Sequence, residues 1–394
     1  MMLLTTFAFR AAAQPATRTN SPSEQPPLES GTPPATHSPP ADLPLIPGDI
    51  QLLKESLLWQ QTGSLRAGAG YDDNVLLSPR AAYGSALATA GLDYSLSRLP
   101  LDGWGVDLKL GGDDVRYLQK TPSDGTDFWV ADCTVKRFVG DHWQVGVEGL
   151  VNYLDEVDYV GTLDGPEAVE VQGEVLRITP FLRRNLSSNW WTQLEAPAGR
   201  EMFEAPLDNT WKYGPLLRLG YSDDQQEELT LGYQFQEILH DDWPALDSEG
   251  REISGRKLAL TEHRVDLDWR RYWDAANRWS TDTKFFYARA ADNGGSFFNF
   301  DEFSASERVR CSGRNWELAA TIRGSYLDYP VQRTRLVFGP TLNQMLLHAT
   351  VHGERRLTKW LRLYAEYNYE RVLSNLGDIR YAANTVTAGL IWEF

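Results

Sequence analysis

The chain ends Asn384-Thr385-Val386-Thr387-Ala388-Gly389-Leu390-Ile391-Trp392-Glu393-Phe394. Counted back from Phe394, alternate residues are Trp392, Leu390, Ala388 and Val386, and the interleaved set is Glu393, Ile391, Gly389, Thr387 and Thr385. Successive side chains of a β-strand point to opposite faces, so this segment has one apolar face and one that is small or polar. The apolar face could meet a protein core, as in a soluble sandwich, or a lipid exterior. The rest of the chain decides between them.

A repeat supports lipid. A short polar turn followed by Trp recurs at Asp102-Gly103-Trp104, Asp141-His142-Trp143, Ser188-Asn189-Trp190, Ala276-Asn277-Arg278-Trp279, Arg314-Asn315-Trp316 and Thr358-Lys359-Trp360. The spacing is 37 to 47 residues, with one double interval of 89 in which Asp223-Asp224-Gln225-Gln226 stands where the missing turn should be. Each interval holds one strand, one long loop and one returning strand. Trp just after a tight turn suits a membrane interface, because its ring is apolar while its N–H reaches headgroups or water. A soluble repeat with one Trp per blade is the competing reading. Trp104, Trp143, Trp190, Trp279, Trp316 and Trp360 are therefore expected to form an interfacial aromatic belt.

Parity within the intervals agrees. From Trp143 the alternate residues Val145, Val147, Gly149, Val151 and Tyr153 oppose Gln144, Gly146, Glu148, Leu150 and Asn152. From Trp316, Leu318, Ala320, Ile322, Gly324 and Tyr326 oppose Glu317, Ala319, Thr321, Arg323 and Ser325. In a membrane barrel the apolar face meets lipid and the polar face lines the lumen. This pattern, with the aromatic terminus, resembles bacterial outer-membrane β-barrels, a family in which a terminal Phe addresses the strand to the assembly machinery. The resemblance implies an outer-membrane location and an assembly role for Trp392 and Phe394.

Composition is compatible. No apolar run approaches the ~20 residues of a transmembrane helix, and a mean hydropathy of −0.42 suits a chain in which only alternate strand residues face lipid. A net charge of −16 argues against a nucleic-acid partner. Cys133 and Cys311 fall on separate expected strands, so no bridge is expected, and no metal or cofactor spacing of Cys or His occurs.

The chain divides into four parts. Residues 1–14 resemble the end of a secretory signal, with Ala11 and Ala13 as a cleavage site but no basic start. Residues 15–48, rich in Pro, Ser and Thr, read as a disordered periplasmic linker. Residues 49–59 have Asp49 at an N-cap position and Ile50, Leu53 and Leu57 at helical spacing; they read as a short amphipathic helix, a plug or the lead-in to the first strand. Residues 60–394 form an all-β, antiparallel up-and-down barrel of about sixteen strands, from 62–71 to 382–394, and fourteen or eighteen also fit. An even count places both termini in the periplasm.

A barrel of this size encloses water unless something fills it. Parity assigns to the lumen Asp107, Lys109, Asp132, Lys136, Glu148, Arg218, Arg264, Asp266, Asp268, Arg270, Arg308, Arg310, Arg323, Arg362, Glu366 and Glu370. Both signs occur, which predicts a hydrophilic path with a local field, unless the charges only pair across strands. Outside, residues 155–174 read as a long acidic loop holding Asp155, Glu156, Asp158, Asp164, Glu167, Glu170 and Glu174. Tyr71-Asp72-Asp73-Asn74, at the end of the first strand, resembles a motif in the same place in β-barrel porins, including those encoded with exopolysaccharide and exosortase systems.

Three functions are weighed. The first is a channel for small hydrophilic solutes. The second is a barrel serving surface-polysaccharide export or assembly, for which Trp191, Phe286 and Tyr364 would offer lumenal aromatics. An enzyme is the third, but neither His348, Thr350 and His352 on one face nor His240, Asp241 and Asp242 on an expected outer loop sets a Ser beside a His. The expected partners are outer-membrane lipid and lipopolysaccharide, the barrel-assembly machinery, and a small solute or a polysaccharide.

Overall fold

The computed structural model describes residues 58–394 apart from 79–81, 101, 120, 122, 163–164, 206, 224–225, 334–338 and 378–379. The signal-like segment, the Pro-rich linker and nearly all of the amphipathic segment lie outside the described residues. The described chain runs β1 (Trp59–Asp72), β2 (Ser85–Arg98), β3 (Trp104–Tyr117), β4 (Gly125–Val139), β5 (Trp143–Thr162), β6 (Gly165–Asn185), β7 (Trp190–Glu195), β8 (Ala198–Phe203), β9 (Thr210–Tyr213), β10 (Leu216–Asp223), β11 (Glu227–Leu246), β12 (Glu252–Tyr272), β13 (Trp279–Asp292), β14 (Phe300–Ser312), β15 (Trp316–Arg333), β16 (Thr341–Arg356), β17 (Leu361–Ser374) and β18 (Tyr381–Glu393). Apart from β7 with β8 and β9 with β10, neighbours in sequence pair antiparallel, and β1 pairs with both β2 and β18, so the sheet closes on itself.

Two wall strands are broken, which reconciles eighteen segments with sixteen staves. β7 and β8 both pair with β6, and β9 and β10 both pair with β11. The breaks fall at Ala196-Pro197 and Gly214-Pro215, where proline has no N–H for the ladder. Gly214 sits at φ +153°, and a Cβ there would stand 2.0 Å from the Phe235 carbonyl oxygen, so the bend has no room for a side chain.

Four of the six Trp turns share one chemistry: a side-chain oxygen shortly before the Trp accepts its backbone N–H. Asp102 does so for Trp104 at 3.3 Å, Ser187 for Trp190 at 3.2 Å, Asp274 for Trp279 at 3.0 Å and Thr358 for Trp360 at 3.2 Å. The hydrogen bond from Trp279 is the main reason that the Asp274 carboxyl is held below its ordinary range, and the Arg98 guanidinium does the same for Asp102. The six Trp side chains of these turns are 41–51% exposed, on the same outward face as Val145, Val147, Leu318 and Ile322.

The seam between β1 and β18 joins the two ends of the wall. Its middle is built of Ala67, Gly68, Ala69 and Gly70 against Thr387, Ala388, Gly389 and Leu390, which gives side chains little to grip. Both ends carry extra bonds. At one end Gly63 and Phe394 exchange backbone hydrogen bonds at 3.1 and 2.9 Å, and the Phe394 ring lies where a Gly63 Cβ would be. At the other end stands Tyr71-Asp72-Asp73-Asn74. Asp73 accepts the backbone N–H and side-chain Nδ2 of Asn384, both at 2.7 Å, Asp72 accepts the Thr385 hydroxyl at 3.0 Å, and Asn74 Nδ2 donates to the Ala382 carbonyl at 2.9 Å.

Two expectations change. Residues 155–174 are not a loop: β5 and β6 continue as one long hairpin, with Asp155 opposite Gln172 and Glu156 opposite Val171. His240 is not on an outer loop either; it lies inside β11, buried and stacked on Trp243 at 5.0 Å.

Candidate functional site

Cross-strand register extends the parity argument around the wall, because residues directly opposite share a face. Starting from Arg66 it runs through Gly91, Asp113, Phe128 and Leu154. On the other side of the seam His352 stands opposite Glu366, and Glu366 opposite Thr387. Residues of this face from β1, β3, β16, β17 and β18, among them Arg66, Asp113, His352, Tyr364, Glu366 and Thr387, line one cavity of about 160 Å³. Closure of β1 on β18 makes these strands one continuous arc, and the cavity lies along the inner side of that arc.

The residues assigned by parity share this face, and half of them form ion pairs among the described residues. Asp107 holds Lys136 at 2.6 Å, Glu148 meets Arg177 at 3.5 Å, Arg218 meets Glu195 at 2.9 Å and Arg310 meets Glu317 at 2.8 Å. Arg270 lies between Asp282 at 3.1 Å and Glu228 at 3.4 Å. Arg362 binds Glu354 and, at 2.7 Å, Glu393, while Glu366 takes His352 at 2.9 Å and Glu370 accepts the Tyr381 hydroxyl. Lys109 stands opposite Asp132, Asp268 opposite Lys284, Arg308 opposite Asp282 and Arg323 opposite His348; the Asp266 carboxylate lies over Gly232.

Sequence reasoning missed the charge cluster on the first strands. Arg66 reaches Asp113 at 2.9 Å and Asp93 at 3.4 Å. The opposite face of β1 carries Leu65, Ala67 and Ala69, too small to make the alternation conspicuous, yet a strict count from Asp72 would have found Arg66. Glu354 was missed too, although it continues the His348, Thr350, His352 face that parity had marked. Thr350 donates to Asn368 at 2.7 Å, and His352 is held between Glu354 at 3.0 Å and Glu366, so both are engaged with the wall.

The three lumenal aromatics are laid against the wall. Arg183 covers Trp191 at 4.0 Å, and a Gly220 Cβ would stand 2.0 Å from the same ring. Arg264 covers Phe286 at 4.0 Å. Tyr364 spans the seam, with its hydroxyl 2.3 Å from where a Gly68 Cβ would be and 3.3 Å from the Thr89 hydroxyl. At the end away from the Trp turns this face becomes apolar: Ala290, Phe300, Leu327, Tyr329 and Leu342 form one buried cluster, and Ile238, Leu246, Leu258, Leu260 and Phe298 another.

A closed antiparallel barrel of sixteen staves, apolar outside and charged within, defines the fold of the outer-membrane β-barrels. No family model and no curated protein matches the sequence. Among solved structures the chain is similar to the outer-membrane channel DcaP of Acinetobacter baumannii, at 12% identity over 85% of this chain and 97% of that one, with a TM-score of 0.52. OccD1 (OprD), at 8% identity over 85% and 95%, scores 0.43, and a bacterial polysaccharide outer-membrane secretin, at 9% over 84% and 98%, scores 0.39. At these identities the likeness is one of fold.

Proposed function

We propose that this protein is a porin-like channel of the outer membrane, passing small hydrophilic solutes through the barrel interior. The observation that carries the reading is the division of the wall: an outward face of Val, Leu and aromatic side chains, and an inward face of Asp, Glu, Arg and Lys from every part of the ring. Only a polar interior gives that inner face its partner. Sixteen staves enclose more space than their own side chains fill. The fold shared with DcaP, whose name describes a channel, supports the same reading.

The apolar packing on β11 to β16 narrows the far mouth on that side, so the solute path runs along β1 to β5 and β16 to β18. The even number of staves favours both termini on the periplasmic side, with Trp392 and Phe394 presented there to the assembly machinery. A saccharide path gains no support from the lumen: Trp191, Phe286 and Tyr364 are covered or laid flat, and stacking on a sugar needs an open ring face.

The test is conductance. Purified protein in a planar bilayer should pass ions, and Asp266→Asn with Asp268→Asn should shift the reversal potential toward anion preference, since two carboxylates leave the inner wall. Chains beginning at residue 61 should conduct at least as well. Silent bilayers from both, with folding shown by heat-modifiable gel mobility, would overturn the channel.

A further inference from the structure

Outward-facing cations occur toward both ends of the barrel, with Arg116, Arg289 and Arg371 at the end away from the Trp turns. At the end formed by the Trp turns they stand beside the Trp side chains. Arg137 is opposite Trp104 and 5.2 Å from its ring centre; Arg184 is opposite Trp143, also at 5.2 Å. Arg271 lies 4.5 Å from the Trp273 ring and Lys359 4.7 Å from that of Trp360, while Arg355 is opposite Trp316. None of the five makes an ion pair among the described residues, although most inward arginines do. Several acids at this end are engaged: Asp102 with Arg98, Asp274 with Arg278, and Glu227 with the Trp269 indole N–H.

The other rim mixes both signs: Arg289 stands opposite Asp301, and carboxylates also face each other there. Asp114, Asp127 and Asp155 follow one another across β3, β4 and β5, and Asp301 faces Asp328 across β14 and β15. Carboxylates directly opposite each other repel. Arg116 relieves one pair, at 2.6 Å from Asp114 and 2.9 Å from Asp127, and the Tyr287 hydroxyl donates to Asp301 at 2.7 Å. What distinguishes the Trp-turn end is that its five cations stand beside Trp rings without an ion pair, whereas Arg116 at the other rim is paired with Asp114 and Asp127.

We propose that the Trp-turn rim is a docking belt for anionic phospholipid headgroups, with each Trp–cation pair presenting an apolar ring to the acyl boundary and a charged group to the phosphate. A guanidinium meets phosphate with paired N–H donors, and the neighbouring indole holds it at headgroup depth. The belt would seat this rim in a leaflet of phospholipid and leave the mixed-charge rim on the opposite side. The proposal rests on the membrane embedding described above, not on conduction.

The test compares vesicles of phosphatidylcholine with vesicles containing phosphatidylglycerol of the same chains. One basic group near an anionic surface enriches the lipid about fivefold. Brominated phosphatidylglycerol should therefore quench the protein's Trp fluorescence more than brominated phosphatidylcholine, and the urea midpoint should rise with phosphatidylglycerol content. A variant with Arg137, Arg184, Arg355 and Lys359 all changed to Gln should fold in phosphatidylcholine and lose most of both differences. Equal quenching by the two brominated lipids in the natural protein would overturn the belt without needing the variant. So would full retention of the preference in the folded variant, or inorganic phosphate reproducing the midpoint shift. Failure to fold into either vesicle would remove the membrane embedding itself, and the belt with it.

Discussion

Val147 and Glu148 are chain neighbours with different surroundings: Val147 is exposed on the apolar outer face, and Glu148 meets Arg177 on the inner one. Val147→Leu should be tolerated, whereas Val147→Arg should cost about 2–4 kcal/mol for a charge at mid-membrane. Glu148→Arg should cost much less, and a reversible folding titration in lipid distinguishes the two; equal effects would refute the facing. At the seam, Asp73 and Asn384 act as a unit. Asp73→Ala and Asn384→Ala should each lower the folded fraction, and the double variant should fall short of their sum by about 0.5–3 kcal/mol, the range for residues sharing hydrogen bonds. Strict additivity would mean that the motif does not clasp the seam. The facing was legible in the sequence because it needs only counting by twos. The clasp was not, since nothing near Asp73 in the chain points to Asn384.

Among elements, β18 shows how a strand can be wall and terminus together. Its outward face carries Val386, Leu390 and Trp392, and Phe394 closes against Gly63 beyond its end. Removing Phe394, or Phe394→Asp, should sharply reduce folded barrel in the membrane, read as loss of the heat-modifiable band; an unchanged yield would show that the terminal ring is dispensable. The Trp turns were readable because an interfacial ring and a capping oxygen need neighbouring residues in sequence. The breaks at Pro197 and Pro215 were not anticipated as interruptions, although proline's missing N–H gives the reason. The length of β5 and β6 was also misjudged. A run of carboxylates reads as loop by composition, yet an extended hairpin pairs its backbone N–H and C=O groups whatever the side chains carry.

Across the whole molecule, the alternation in each strand, the recurring Trp turns and the apolar terminal strand determined an all-β barrel of about sixteen staves, and assigned most inward charges to their face. They could do so because a strand's faces are fixed by local geometry, with period two and no reference to distant residues. Only the tertiary structure decided what those faces meet. Ring closure joins β1 to β18 and brings residues from both ends of the chain around one cavity, while the register of neighbouring strands sets Arg66 near Asp113 and His352 against Glu366. It also set Arg183 and Arg264 over the lumenal aromatics and gathered the apolar clusters at the far mouth. Such contacts depend on the register between strands and on the curvature of a closed sheet. Neither is written in the pattern of a single strand.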